Sequence, residues 1–151
     1  MPAGKVFIDT NVILYAHDSR NRSKEVAVIE WMRRLAAQDL ATVNLQSLNE
    51  VANALLKKRW FASPDAAFAI IDGLAEFGDT PLSWAEIRIA RLLHKSTGYS
   101  WWDCLLLASA LELGCSHFLS EDLQDGQVIG GLTIINPFTH APEEILGPVQ
   151  E

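Results

Sequence analysis

Short apolar runs alternate along this chain with longer stretches in which apolar residues recur every three or four positions. The runs Lys5–Ile8, Leu40–Asn44, Cys115–Ser120 and Leu132–Asn136 predict strands, and the stretches between them predict helices. Residues 24–37 place Val28, Trp31, Met32 and Leu35 on one helical face. A second helix starts at Ser47 and reaches about Arg59. A third is opened by Ser63-Pro64, an N-cap with Pro at the first helical position, and runs to Phe77. After a short extended Thr80–Leu82, Ser83 begins a fourth helix that Thr97-Gly98 ends. Ser100 begins the most apolar one, WWDCLLLASALEL, and Gly114 stops it. Strands alternating with helices predict an α/β fold, a short and mostly parallel sheet covered on both faces. One domain spans residues 1–137, and residues 138–151 read as a tail that wraps or frays.

Charge changes the picture next. The net charge of −7 and pI near 5.0 exclude nucleic-acid binding by bulk positive charge, so any such contact is local or bridged by metal ions. No apolar run approaches a membrane span, and no secretory segment precedes Asp9, so a cytoplasmic location is expected. Cys104 and Cys115 fall on one predicted helix, too far apart along its axis to bridge, which predicts reduced, buried thiols. No glycine pattern fits a phosphate loop or a dinucleotide fingerprint.

The candidate chemistry lies in four acids at element ends. Asp9 closes the first strand, Glu50 lies early in the second helix, Asp103 opens the apolar helix and Asp122 follows the third strand. Ligand sites of parallel sheets lie beyond the carboxyl ends of the strands, where Asp9 and Asp122 fall. Each acid also has a plain explanation. An Asp after a strand makes turns. Ser47-x-x-Glu50 and Ser100-x-x-Asp103 read as capping boxes, as does Ser83-x-x-Glu86, to which no function is assigned. Asp103 has the added support of a helix dipole that favours an anion. Asp125 is either a further ligand or a solvated turn residue. His17 reads as a surface residue, and Trp101 and Trp102 read as core, with base stacking the less favoured role.

Taken together, FIDTNVILYA, LNEVANALLK, YSWWDCLLLASALELGC and HFLSEDLQDG resemble the motifs of PIN-domain ribonucleases, most of all the VapC-type toxins of bacterial toxin–antitoxin pairs. The resemblance spans about residues 5–137 and implies a three-layer α/β/α fold with acids gathered at one sheet edge. On the matching positions it makes Asp9, Glu50, Asp103 and Asp122 the metal-binding and catalytic acids, with Asn11 and Ser120 in support. Ser120 stands where Thr is commoner, and Asp125 adds an acid that leaves that corner open.

The resemblance further implies a Mg²⁺- or Mn²⁺-dependent endoribonuclease that hydrolyses RNA phosphodiesters with a metal-activated water. It implies an RNA substrate, an antitoxin partner and a homodimer. Lys57, Lys58 and Arg59, and Arg88, Arg91 and Lys95, are candidate guides for the strand, although plain solvation is the favoured explanation of both clusters. A haloacid-type phosphatase is disfavoured because Asn11 occupies the place of its second Asp. The remaining alternative is a catalytically silent PIN-like scaffold that acts by binding.

Overall fold

The computed structural model describes residues 4–148. Its elements run β1 (Val6–Ile8), α1 (Thr10–Tyr15), α2 (Arg22–Ala37), β2 (Ala41–Thr42), α3 (Leu45–Lys58) and α4 (Pro64–Leu74) with a 3-10 turn after it. They continue with α5 (Trp84–Thr97), α6 (Trp101–Glu112), β3 (His117–Leu119), β4 (Val128–Ile129), β5 (Leu132–Ile135) and α7 (Glu143–Leu146). The sheet order is β2-β1-β3-β5-β4, parallel throughout except for β4, which runs antiparallel to β5.

Alternation along the strands divides the core in two. Val6, Ile8 and Leu119 face α1, α2, α3 and α4, whereas Phe7, Phe118 and Ile134 face α5 and α6. Phe7 and Phe118 stack with ring centroids 5.5 Å apart. Strands buried on both faces need continuous apolar runs, which is how β1 reads. The result is the three-layer α/β/α arrangement expected from the sequence, with a short, mostly parallel sheet.

Several local expectations are corrected. Helix α1 follows β1 immediately, where the sequence pattern predicts no helix. It is six residues long, too short to display a period. Strand β4 was also missed, as a two-residue partner of β5. Helix α3 begins at Leu45 rather than at Ser47. Its N-cap is the buried Asn44, whose Oδ1 accepts from the Ser47 N–H at 3.0 Å, while Ser47 Oγ accepts from the Asn44 N–H at 3.3 Å. Glu50 therefore takes no part in a capping box. Cys115 lies past the end of α6, and both cysteines are free and buried. His17 is half-buried and packs edge-on to Phe61, which makes it less a surface residue than expected.

Two contacts fix the periphery. Gly78, at φ 140°, passes so close to β2's continuation that a Cβ there would stand 2.3 Å from the Val43 carbonyl oxygen. The segment from Pro137 onward lies along α2. Trp31 Nε1 donates to the carbonyls of Pro137 (2.9 Å) and His140 (3.1 Å), and Arg34 donates to Glu143 (3.0 Å) and the Gly147 carbonyl (2.9 Å). Among the described residues no helix is long and apolar enough to cross a membrane.

Candidate active site

The register of the sheet builds the first part of the site. Ile8 pairs with Leu119, so the next residues, Asp9 and Ser120, emerge side by side at the carboxyl edge. Asp9 N–H donates to the Leu119 carbonyl at 3.0 Å, and Ser120 Oγ–H donates to Asp9 Oδ2 at 3.0 Å. Asp9 is 5% exposed. Burial pushes its carboxyl up to about 7; the Ser120 hydroxyl pulls it down in part, and the nearby Asp103 and Glu50 charges push it up further.

Helix α1 delivers Asn11 beside Asp9's strand, and Asn11 Nδ2 donates to Asp122 Oδ2 at 2.9 Å. That bond ties the exposed turn after β3 to the end of β1. Glu50 projects from α3, half-buried, with Gln46 Nε2 donating to it at 3.0 Å. Burial raises its pKa, Gln46 opposes the shift, and Asp103 adds to it. Asp103 sits in the first turn of α6, where its N–H donates to Ser100 Oγ (3.2 Å) and that hydroxyl donates to its carboxylate (2.8 Å). Asp9 thus feels Asp103 and Glu50 as like charges, Glu50 feels Asp103, and Asn11 links Asp122 to the segment that follows Asp9.

The other acids have partners of their own. Asp125 accepts from the Asn136 N–H at 2.8 Å and from His140 Nε2 at 2.7 Å, both away from the four acids. Those two donors, with the backbone one foremost, hold its carboxyl below the ordinary range. Glu121 pairs with Lys24 at 2.5 Å and accepts from Tyr15 Oη at 3.0 Å. Glu86 closes a capping box with Ser83, so this pattern is structural as expected.

Among the described residues, no three His, Cys, Asp or Glu side chains already surround one point as metal ligands. The donor chemistry nonetheless fits a hard cation, which takes carboxylate oxygens. Burial and like charge raise the Asp9 carboxyl, and a cation would offset both.

Sequence reasoning missed the groups flanking these acids. Trp101 and Trp102, expected in the core, are 37% and 59% exposed, because the first turn of α6 projects past the sheet. Trp102 lines a cleft of about 490 Å³ with Thr10, Gln46, Asn49, Glu50 and Asn53. On the other side of Asn11, a smaller hollow of about 190 Å³ is lined by Tyr15, Asp18, Lys58, Trp60 and Asp122. Lys58 and Arg20 stand over the Trp60 ring at 5.0 and 5.2 Å, which places two cations at its rim.

Comparison with known proteins agrees with this architecture. A toxin–antitoxin complex from Klebsiella pneumoniae contains a chain with the same fold at a TM-score of 0.61 and 15% identity, over 88% of this chain and 98% of that one. VapC20 of Mycobacterium tuberculosis, a sarcin-ricin loop cleaving toxin, superposes with a TM-score of 0.52 and 20% identity, over 76% of this chain and 87% of its own. No curated protein matches the sequence. The family model for the PIN domain matches residues 6–124, which takes in Asp9, Glu50, Asp103 and Asp122 and most of both core layers, and the chain therefore belongs to the PIN domain family.

Proposed function

We propose that this protein is a metal-dependent endoribonuclease of the toxin type, paired with an antitoxin. The observation that carries the reading is the gathering of Asp9, Glu50 and Asp103 near the carboxyl edge of the sheet, where burial and the Asp103 and Glu50 charges raise Asp9 to about 7 and burial and Asp103 raise Glu50. Perturbed carboxyls gathered beside a cleft are a mark of functional sites. The fold neighbours, one a toxin that cleaves the sarcin-ricin loop and the other a toxin–antitoxin complex, support the choice of RNA and of an antitoxin partner.

Asp9, Asp103, Glu50 and Asp122 would hold one or two Mg²⁺ or Mn²⁺ ions. When bound, the ion offsets phosphate charge and makes water a better nucleophile. The chain's own residues do the positioning. Ser120 holds Asp9, Ser100 holds Asp103, Gln46 aims Glu50 and Asn11 aims Asp122. Glu50, half-buried with a raised pKa, suits acceptance of the proton that the attacking water loses. Lys58, which lines the hollow with Asp122, and Arg20, over the same Trp60 ring, suit contacts to the RNA backbone. Local cations and a metal-held phosphate reconcile RNA binding with a net charge of −7. A homodimer in the cytoplasm completes the proposal.

The test is cleavage of a panel of single-stranded and structured RNAs with Mg²⁺, Mn²⁺ or EDTA. Asp9→Asn and Asp103→Asn are expected to lose more than about a hundredfold in rate. Glu86→Gln, a capping residue, is expected to keep its rate. Cutting that persists in EDTA or in both Asp variants would refute the assignment.

A further inference from the structure

The larger cleft holds groups that the acid cluster leaves unused. Trp102 is 59% exposed and lines the cleft together with Asn49, Glu50 and Asn53 of α3. Its volume, about 490 Å³, suits a small organic group. Thr10, 7% exposed, lines the same cleft, and its Oγ1 has no hydrogen-bond partner, alone in this among buried side-chain atoms of the described residues. Buried hydroxyls are normally satisfied, so this one leaves a hydrogen bond unmade beside the cleft. Asn49 and Asn53, one turn apart, add exposed carboxamides that both donate and accept. Among the described residues Glu50 is the one charged group lining the cleft, and it repels a phosphate but tolerates a neutral ring.

We propose that this cleft is a nucleobase subsite, in which an unstacked base of single-stranded RNA lies on the Trp102 ring while Asn49, Asn53 and the Thr10 hydroxyl bond its edge. The inference rests on the ribonuclease reading, which supplies the RNA. An aromatic platform accepts any base through its π face, and carboxamides add the preference among bases. A flat apolar partner surface suits this wall less well, because it would bury the carboxamides and leave the Thr10 hydroxyl unbonded.

The test is anisotropy titration of labelled single-stranded RNA hexamers in EDTA, so that binding is read without cleavage. Wild type, Trp102→Phe and Trp102→Ala are compared, together with hexamers carrying one abasic position. Trp102→Ala is expected to bind roughly tenfold or more weakly, and Trp102→Phe within about threefold of wild type. One abasic position is expected to weaken wild type and to leave Trp102→Ala unchanged. Equal binding of all hexamers by wild type and Trp102→Ala would overturn the subsite. So would a Trp102→Ala change confined to self-association in sedimentation, which would assign the ring to a second copy of the chain. Trp102-dependent binding with no cleavage by any metal would remove the ribonuclease reading and keep the subsite. Asp9-dependent cleavage with binding indifferent to Trp102 would do the reverse.

Discussion

Asp9 shows how one residue is made both costly and useful. Its carboxyl is raised from the ordinary 3.8 to about 7, chiefly by burial. The folded state then binds the proton more tightly than the unfolded state. Stability without cation is therefore full below about pH 4 and is lost as pH rises toward 7. Asp9→Asn removes the ionisation, and at pH 8 in EDTA it is expected to raise stability by on the order of 2–4 kcal/mol. Calorimetry would register this as a rise in Tm, and a fall would show that Asp9 is not held as described. Ser120→Ala removes the hydroxyl that favours the anion. The pH midpoint for cation binding is expected to move upward in that variant, and an unchanged midpoint would deny Ser120 its positioning role.

Among the elements, the start of α3 separates structure from chemistry. Asn44 and Ser47 cap the helix in a buried, reciprocal pair. Asn44→Ala is expected to cost about 1–2 kcal/mol in denaturant unfolding. Glu50→Gln is expected to cost almost nothing there while abolishing cleavage; a large loss of stability would return Glu50 to a structural role. The sequence pattern places the start at Ser47 and Asn44 in the strand before it, and the period of Leu48, Val51 and Leu55 fits a start at either residue. Burial of Asn44 at the end of β2 decides between them, and that is a tertiary fact. The same limit explains the other misses. Six residues of α1 show no period, and β4 is legible only as the partner that Gly130-Gly131 turns back onto β5. Helix α6 is apolar all round, so pattern alone could not show that Trp101 and Trp102 overhang the sheet. Asp9, Asp103 and Asp122 were legible as candidates because each stands near a strand end or helix start, whereas Glu50 lies in the second turn of α3 and stood out only through its motif; how the four are placed relative to one another needed the structure.

Across the whole molecule, the last segment bears on the integrity of the core. Trp31 is 1% exposed, and its indole N–H is satisfied only by carbonyls from Pro137 and His140. Arg34, 8% exposed, spends its guanidinium on Glu143 and Gly147. Tyr15 packs edge-on to Phe138, and Lys24 lies over both rings, which links this segment to α1 and hence to Asn11. Deleting residues 138–151 strips Phe138, Ile145 and Leu146 from the core and uncovers Trp31, and is expected to cost about 3 kcal/mol or more, with a red shift of tryptophan emission. An unchanged Tm would make residues 1–137 a self-sufficient domain.

The measurement that bears most directly on the site is Mn²⁺ binding followed by electron paramagnetic resonance at pH 8. Wild-type protein is expected to bind the ion, with affinity lost by at least about tenfold in Asp9→Asn and in Asp103→Asn. Asp125→Asn, whose carboxylate is engaged by Asn136 and His140, is expected to bind as wild type does. Binding that is indifferent to Asp9 and Asp103, or that follows Asp125 instead, would contradict a cation site built on the coupled acids.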